Sequence, residues 1–181
     1  MHWMFLPLKR YADFSGRSRR TEFWMFALGQ FLLWFLWMVV VFATVGAALV
    51  NGGSPGSITA AGSGFVVLVL VAIVVWLALL IPTLAVNVRR LHDTNRSGWW
   101  YGGLLILYAV ISVVNLATVS STAEGGQPSA GGLIVQGVLG LVLLIYGVVL
   151  LIFYLLDGTP GHNRYGPDPK GRGHDNAEIF A

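Results

Sequence analysis

Between residues 64 and 86 the chain reads GFVVLVLVAIVVWLALLIPTLAV, a stretch without one charged side chain. About 20 apolar residues in a helix are enough to cross a hydrocarbon core of about 30 Å. The composition supports the same interpretation, because 56% of the residues are hydrophobic and only 10% are charged, which is unlike a soluble domain. The stretch therefore predicts a transmembrane helix.

Three further apolar runs, at residues 23–50, 99–119 and 133–156, also lack Lys, Arg, Asp and Glu. With residues 64–86 they predict an all-α integral membrane protein, a bundle of four transmembrane helices. An outer-membrane barrel would instead show segments of about ten residues in which apolar and polar side chains alternate. We exclude it because Val, Leu, Ile and Phe occupy successive positions in these runs.

The basic residues predict the orientation. All eleven lie before the first run, between the second and third, or after the fourth: Lys9, Arg10, Arg17, Arg19, Arg20, Arg89, Arg90, Arg96, Arg164, Lys170 and Arg172. Loops 51–63 and 120–132 contain none, so the positive-inside rule predicts that both termini are cytoplasmic. The same charge accounts for the pI near 9.5 through attraction to anionic lipid headgroups, and no nucleic-acid partner is expected.

This topology divides the chain into three parts. Residues 1–22 form a cytoplasmic or interfacial segment, residues 23–156 the transmembrane domain, and residues 157–181 a cytoplasmic segment that we expect to be disordered after residue 169. Trp24, Trp99 and Trp100 stand at the cytoplasmic ends of predicted helices, where tryptophan is typical of the membrane interface. The chain has no cysteine, which excludes disulfides and thiolate chemistry.

Three polar segments carry specific motifs. They are GRSRRTEFW at residues 16–24, PTLAVNVRRLHDTNRSGWW at residues 82–100 and DGTPGHNRYGPDP at residues 157–169. Together they closely resemble the signatures of domain-of-unknown-function family 805 (DUF805), the YhaH-like bacterial inner membrane proteins. The resemblance implies a small four-helix, multi-pass protein of the bacterial inner (plasma) membrane, and it implies no particular biochemical activity.

The predicted topology brings the three segments to one membrane face, where they would form a polar layer. Its candidate residues are Arg17, Arg20, Glu22, Arg89, Arg90, His92, Asp93, Arg96, Ser97, Asp157, Asn163, Arg164 and Tyr165. Arginine forks suit bidentate pairing with carboxylate or phosphate. One interpretation is an internal network in which Glu22 or Asp93 pairs with Arg89 or Arg90. The other is an anion site that receives a phosphate or a lipid headgroup beside the helix that begins after Ser97.

Catalytic interpretations of the layer are weaker. His92 and Asp93 resemble part of a metal phosphohydrolase site, to which Asp157 and His162 could add ligands, but the neighbouring arginines would repel a cation. Ser97 lies too close in sequence to His92 and Asp93 for a hydrolytic triad. We therefore expect no catalytic residues, no metal and no cofactor.

Three functional hypotheses follow. The first is a non-enzymatic membrane module that binds an anionic phospholipid headgroup or a protein partner, such as a further copy of itself, at its cytoplasmic face. The alternative is a small oligomeric transporter or channel, which would need Gln30, Asn115 and Gln136 to face one cavity. The third is the membrane-embedded metal hydrolase described above.

Overall fold

The computed structural model describes residues 2–50, 55–123 and 129–172. It has five helices there: α1 (His2–Lys9), α2 (Arg20–Val50), α3 (Pro55–Asp93), α4 (Trp99–Ala123) and α5 (Ala130–Leu155). Apart from one isolated bridge between Asn163 and Gly166, this described part contains no β-structure. Helices α2 to α5 are each long and apolar enough to cross a membrane. The prediction of an all-α protein with four transmembrane helices is confirmed.

Helix α3 continues well beyond the predicted span. It has 39 residues, which at 1.5 Å per residue makes it about 58 Å long, or nearly twice the hydrocarbon thickness. It ends at Asp93 rather than at residue 86, so Arg89 and Arg90 are helical. Arginine is a good helix former, and the extra turns carry the RRLHD motif into the polar layer on a rigid element.

The chain divides into two compact units. Unit 1 comprises Met1–Phe14 and Thr21–Val86, and unit 2 comprises Ser15–Arg20 and Asn87–Ala181. Of the residues predicted to be disordered after residue 169, Lys170 and Arg172 make hydrogen bonds in the structure, and residues 173–181 lie outside the described residues.

Within unit 1, the N-terminal segment compensates for a proline in α3. Pro82 has no N–H, so the carbonyl of Ala78, four residues earlier, has no helical donor. The hydroxyl of Tyr11 donates to that carbonyl at 2.8 Å. A backbone carbonyl that faces hydrocarbon must find a partner inside the protein, and Tyr11 provides it.

Within unit 2, helices α4 and α5 pack along their length. The hydroxyl of Tyr146 donates to the carbonyl of Trp100 at 2.7 Å. Gly103 makes room for this ring, because a Cβ there would lie 2.5 Å from the hydroxyl oxygen. Close approach of this kind is the usual role of glycine between membrane helices.

The amides of the spans take part in helix pairing. In unit 1 the amide of Gln30 donates to the hydroxyl of Thr83 at 2.5 Å. In unit 2 the amide of Gln136 donates to the side-chain oxygen of Asn115. Each amide that the transporter hypothesis requires is therefore engaged with a neighbouring helix, which is a common role of polar side chains in membranes.

Candidate functional site

The turn between α3 and α4, residues 94–98, fixes the position of the polar layer in unit 2. The N–H of Arg96 donates to the carbonyl of Leu91 at 2.9 Å, and that of Asn95 donates to His92 at 3.0 Å. Asn95 has a φ of 58°, in the left-handed region that asparagine tolerates better than most residues. These features form a Schellman motif. The α3–α4 turn ends the helix sharply and leaves Asp93 at its tip.

Asp93 is the centre of a buried ion cluster. One carboxylate oxygen accepts from Arg17 Nε at 3.0 Å and lies 2.9 Å from Arg17 Nη2. The other accepts from Arg90 Nη1 at 2.5 Å. The exposed fractions of Arg17, Arg90 and Asp93 are 5%, 0% and 2%. We call these three residues the Asp93 cluster; its Asp93–Arg90 pair is one of the pairings considered from the sequence.

Arg17 connects the segment before α2 to the segment after α5. Its Nη1 donates to the carbonyl of Gly161 at 2.7 Å, and its Nη2 donates to that of Thr159 at 2.5 Å. All three guanidinium nitrogens therefore have partners. A buried guanidinium is stable only when its charge and its N–H groups are matched in this way.

Arg90 binds the end of α5. Its Nε and Nη2 lie 3.3 and 3.1 Å from the carbonyl of Tyr154, and Nη2 also donates to Leu156. The last carbonyls of a helix lack helical donors and carry partial negative charge. Arg90 satisfies them while it also binds Asp93.

The segment after α5, residues 157–172, folds over the Asp93 cluster, and we call it the C-terminal hook. Thr159 donates to the carbonyl of Asp93 through its N–H at 2.9 Å and its hydroxyl at 3.2 Å. The amide of Asn163 donates to the carbonyl of His92 at 3.0 Å. Gly158 packs directly on the Asp93 carboxylate, because a Cβ there would lie 2.5 Å from Oδ1.

A second carboxylate closes the hook on itself. Asp168 accepts from the N–H of Lys170 and from Arg172 Nε, at 2.9 and 2.8 Å. Arg172 Nη2 in turn donates to the carbonyl of Gly158 at 3.0 Å. The side chain of Asp168 is 1% exposed and lies 3.9 Å from Arg17 Nη2. Hydrogen bonds of Arg172 therefore connect the end of the hook to its beginning.

The hook carboxylates are stabilised as anions. Burial tends to raise the pKa of Asp168, but the hydrogen bonds from Lys170 and Arg172 and the charge of Arg17 outweigh it, and the pKa is lowered. The pKa of Asp157 is lowered by hydrogen bonds from Arg20 and then from Lys170, which lie 3.1 and 3.2 Å from its Oδ1. Both carboxylates are charged at neutral pH.

His92 and Ser97, considered above for catalysis, are engaged in local contacts. The ring of His92 stacks on that of Tyr165, with centroids 3.8 Å apart and planes within 6°. Its Nδ1 lies 3.2 Å from the carbonyl of Gly16, and the hydroxyl of Ser97 accepts from the N–H of Trp99 at 3.3 Å. Over the ranges that the structure covers, no three His, Asp or Glu side chains form a group that could hold a metal ion.

Two arginines beside the α3–α4 turn rest on aromatic rings. The guanidinium carbon of Arg96 lies 3.8 Å from the centroid of Phe153, and that of Arg164 lies 4.7 Å from the centroid of Tyr165. Trp99, the first residue of α4, is 78% exposed. Two arginines of the polar layer therefore pack on aromatic rings and not on carboxylates.

Unit 2 thus brings together eleven of the candidate residues: Arg17, Arg20, Arg89, Arg90, His92, Asp93, Arg96, Asp157, Asn163, Arg164 and Tyr165. Ser97 lies in the α3–α4 turn, and the carbonyl of Arg89 accepts from the N–H of Ser18 at 3.1 Å. Glu22 and Trp24 belong to unit 1, where Glu22 is buried and Trp24 is 38% exposed. Trp100 packs edge-on against Phe153, at 5.1 Å between centroids.

Sequence reasoning missed several residues of this site, among them Gly158, Thr159, Asp168 and Arg172. One signal was available, because Asp168 and Arg172 stand four positions apart in a segment rich in turn-forming residues. Gly158 directly follows Asp157 after the end of α5, but the neighbouring residues do not indicate that a carboxylate packs against it.

Comparison with known proteins agrees with the motifs. Residues 11–167 match the family described as "Protein of unknown function (DUF805)". The chain is 31% identical to the inner membrane protein YhaH of Escherichia coli K12 over 94% of its own length and 98% of the relative's. It is 32% identical to the inner membrane protein YhaI of the same organism, over 94% and 97%. No solved structure matches. The chain therefore belongs to the DUF805 family of multi-pass inner membrane proteins.

Proposed function

We propose that the protein is a non-enzymatic membrane module whose polar layer binds anionic phospholipid headgroups at the cytoplasmic leaflet. The positive-inside rule supports the cytoplasmic location, since every Lys and Arg lies in the segments on this side of the four helices. Anionic headgroups attract such charge by about 1 kcal/mol per basic residue near the surface.

The surplus of arginine supports a ligand beyond the protein itself. The polar segments of unit 2, residues 15–20, 87–98 and 157–172, hold nine Lys and Arg but three acids. Each acid already contacts two cations: Asp93 with Arg17 and Arg90, Asp157 with Arg20 and Lys170, and Asp168 with Arg172 and Arg17. Positive charge remains after this internal pairing.

Arg96 and Arg164 are the clearest part of that surplus. No carboxylate lies within 4.0 Å of either guanidinium in the described ranges. Both contact only neutral groups there, namely backbone carbonyls and aromatic rings. This positive charge without an acidic partner is the observation that carries the proposal.

The residues considered for catalysis, Asp93, His92 and Ser97, all make contacts within the protein, which supports a non-enzymatic role. Both oxygens of Asp93 are held by guanidinium groups, and a carboxylate in that state is a poor base. His92 is stacked on Tyr165, and Ser97 accepts a hydrogen bond at the start of α4. Each of these side chains already has a structural partner.

Native mass spectrometry of the purified protein tests the proposal. The protein is placed in mixed micelles that contain equal amounts of phosphatidylglycerol and phosphatidylethanolamine, and the lipids that remain bound are counted. We expect phosphatidylglycerol to be enriched, and we expect the enrichment to fall as salt is raised because exposed charges are screened. Retention of both lipids in the mixing ratio at low salt would overturn the proposal.

A further inference from the structure

We infer that Arg96 and Arg164 form a binding site for a phosphate group beside the α3–α4 turn. The inference rests on the proposed function and gives it a location. The ligand chemistry is a phosphate oxyanion, which either a phospholipid headgroup or free inorganic phosphate could supply.

Both arginines are anchored to the same turn. Arg96 Nη1 lies 3.4 Å from the carbonyl of Thr94, and Arg164 Nη2 donates to the carbonyl of Asn95 at 3.1 Å. These carbonyls belong to consecutive residues, so the two guanidinium groups lie beside one short stretch of backbone. Arg164 reaches it from the C-terminal hook.

Their hydrogen bonding differs from that of the buried arginines. Arg17 and Arg90 use all three of their guanidinium nitrogens within the protein. Arg96 and Arg164 each make one protein hydrogen bond in the described part of the chain, out of five N–H donors. Most of the donors of both are available to a ligand.

The aromatic rings beneath them orient these donors. Phe153 and Tyr165 cover one face of Arg96 and Arg164 respectively, and the rings do not cover the N–H edges. Stacking of this kind restricts the guanidinium before a ligand arrives, so less entropy is lost on binding. Two oriented arginine edges are well suited to the oxygens of one phosphate.

The adjoining tryptophan favours a lipid as the source. Trp99 directly follows the turn and is 78% exposed. Exposed tryptophan at the end of a membrane helix is typical of the headgroup region, which is the depth at which lipid phosphates lie. Asn95, at the tip of the turn, is also exposed.

The test compares two variants that lose the same charge. The site variant is Arg96→Gln/Arg164→Gln, and the control is Arg20→Gln/Lys170→Gln, which removes two cations that pair with exposed Asp157. Affinity for phosphatidylglycerol is measured by native mass spectrometry in the mixed micelles described above. We expect the site variant to bind at least about tenfold more weakly than the control, since only the site variant loses charged hydrogen bonds to the phosphate.

A charge-retaining variant makes the test independent of net charge and of folding. Arg96→Lys/Arg164→Lys keeps both charges but not the planar fork, and we expect it to lose most of the affinity while its thermal unfolding temperature stays close to that of the wild type. Equal affinity for the lysine variant and the wild type would overturn the inference, as would an equal loss in the site variant and the control.

Inorganic phosphate distinguishes the two sources. If millimolar phosphate fails to displace phosphatidylglycerol, the site is specific for the lipid; if it displaces the lipid from wild-type protein, the site accepts any phosphate oxyanion. Enrichment of phosphatidylglycerol that all variants share would leave the proposed function standing and refute this site. Phosphate binding that depends on Arg96 and Arg164, without any lipid preference, would support this site and refute the proposed function.

Discussion

Replacement of Asp93 by asparagine should destabilise the protein more than any other single change of a carboxylate in unit 2. Asp93→Asn keeps the size of the side chain but removes the charge that balances Arg17 and Arg90. Both arginines are buried, with exposed fractions of 5% and 0%, so water cannot replace the carboxylate. Asparagine also has an NH2 donor in place of one of the two acceptor oxygens of aspartate, and this donor would face a guanidinium N–H group.

The magnitude follows from this burial. Loss of one partner from a buried ion pair costs about 3–5 kcal/mol, because the remaining charge stays in a poorly solvated site. Asp93 touches two arginines through contacts of 2.9 and 2.5 Å, so we expect a cost in the upper half of that range. The exposed Asp157, whose side chain is 62% exposed, is the matched control, and Asp157→Asn should have little effect.

Unfolding by titration with sodium dodecyl sulfate in mixed micelles measures these differences, with the fluorescence of the seven tryptophans as the signal. A double-mutant cycle with Arg17→Gln isolates the pair, and its coupling free energy should be about 1–3 kcal/mol. A free energy of unfolding that is equal for Asp93→Asn and Asp157→Asn would refute the cluster, and so would additive effects in the cycle.

Three further predictions concern the hook and the proline of α3. Gly158→Ala should cost about 1–3 kcal/mol by overpacking, measured by the same detergent titration, because its Cβ would lie 2.5 Å from Oδ1 of Asp93; a wild-type value would contradict the contact. Tyr11→Phe should cost about 1 kcal/mol by leaving the carbonyl of Ala78 without a donor, and the cost should vanish when Pro82→Ala restores the helical N–H. The lowered pKa of Asp168 stabilises the fold above the ordinary carboxyl pKa, and this contribution is lost as pH falls through the lowered value. The hydrogen-exchange rate of residues 157–172, corrected for the intrinsic rate, should therefore stay low down to about pH 4 and rise below it. In Asp168→Asn this rise should be smaller. An exchange rate of the hook that does not change with pH would contradict the prediction.

Hydrophobic run length and the separation of charge along the chain were enough to predict the helices and the meeting of the polar segments. These signals are strong because a bilayer penalises every unpaired polar group. The end of α3 was harder to locate. Charge at Arg89 and Arg90 is typical of the membrane border, and only their burial within the protein explains why the helix continues to Asp93.

The individual pairings could not be deduced, because several arginines compete for few acids. Nothing in the sequence distinguishes Arg17, which binds Asp93, from Arg19, which donates to the carbonyl of Pro169 at 2.5 Å. Asp168 was overlooked because it lies in a segment rich in proline and glycine, which is typical of loops. Its role depends on the hook turning back on itself, and that geometry involves contacts between residues far apart in the chain.

Thiol accessibility tests the central claim that three segments form one polar layer at the cytoplasmic surface. The chain contains no cysteine, so Ser15→Cys, Ser97→Cys and His162→Cys each introduce a sole thiol into one segment, while Ser129→Cys marks the loop before α5. In intact spheroplasts treated with a membrane-impermeant maleimide, we expect the three layer variants to remain unlabelled until lysis and Ser129→Cys to be labelled at once. Labelling of any layer position from outside would contradict the account.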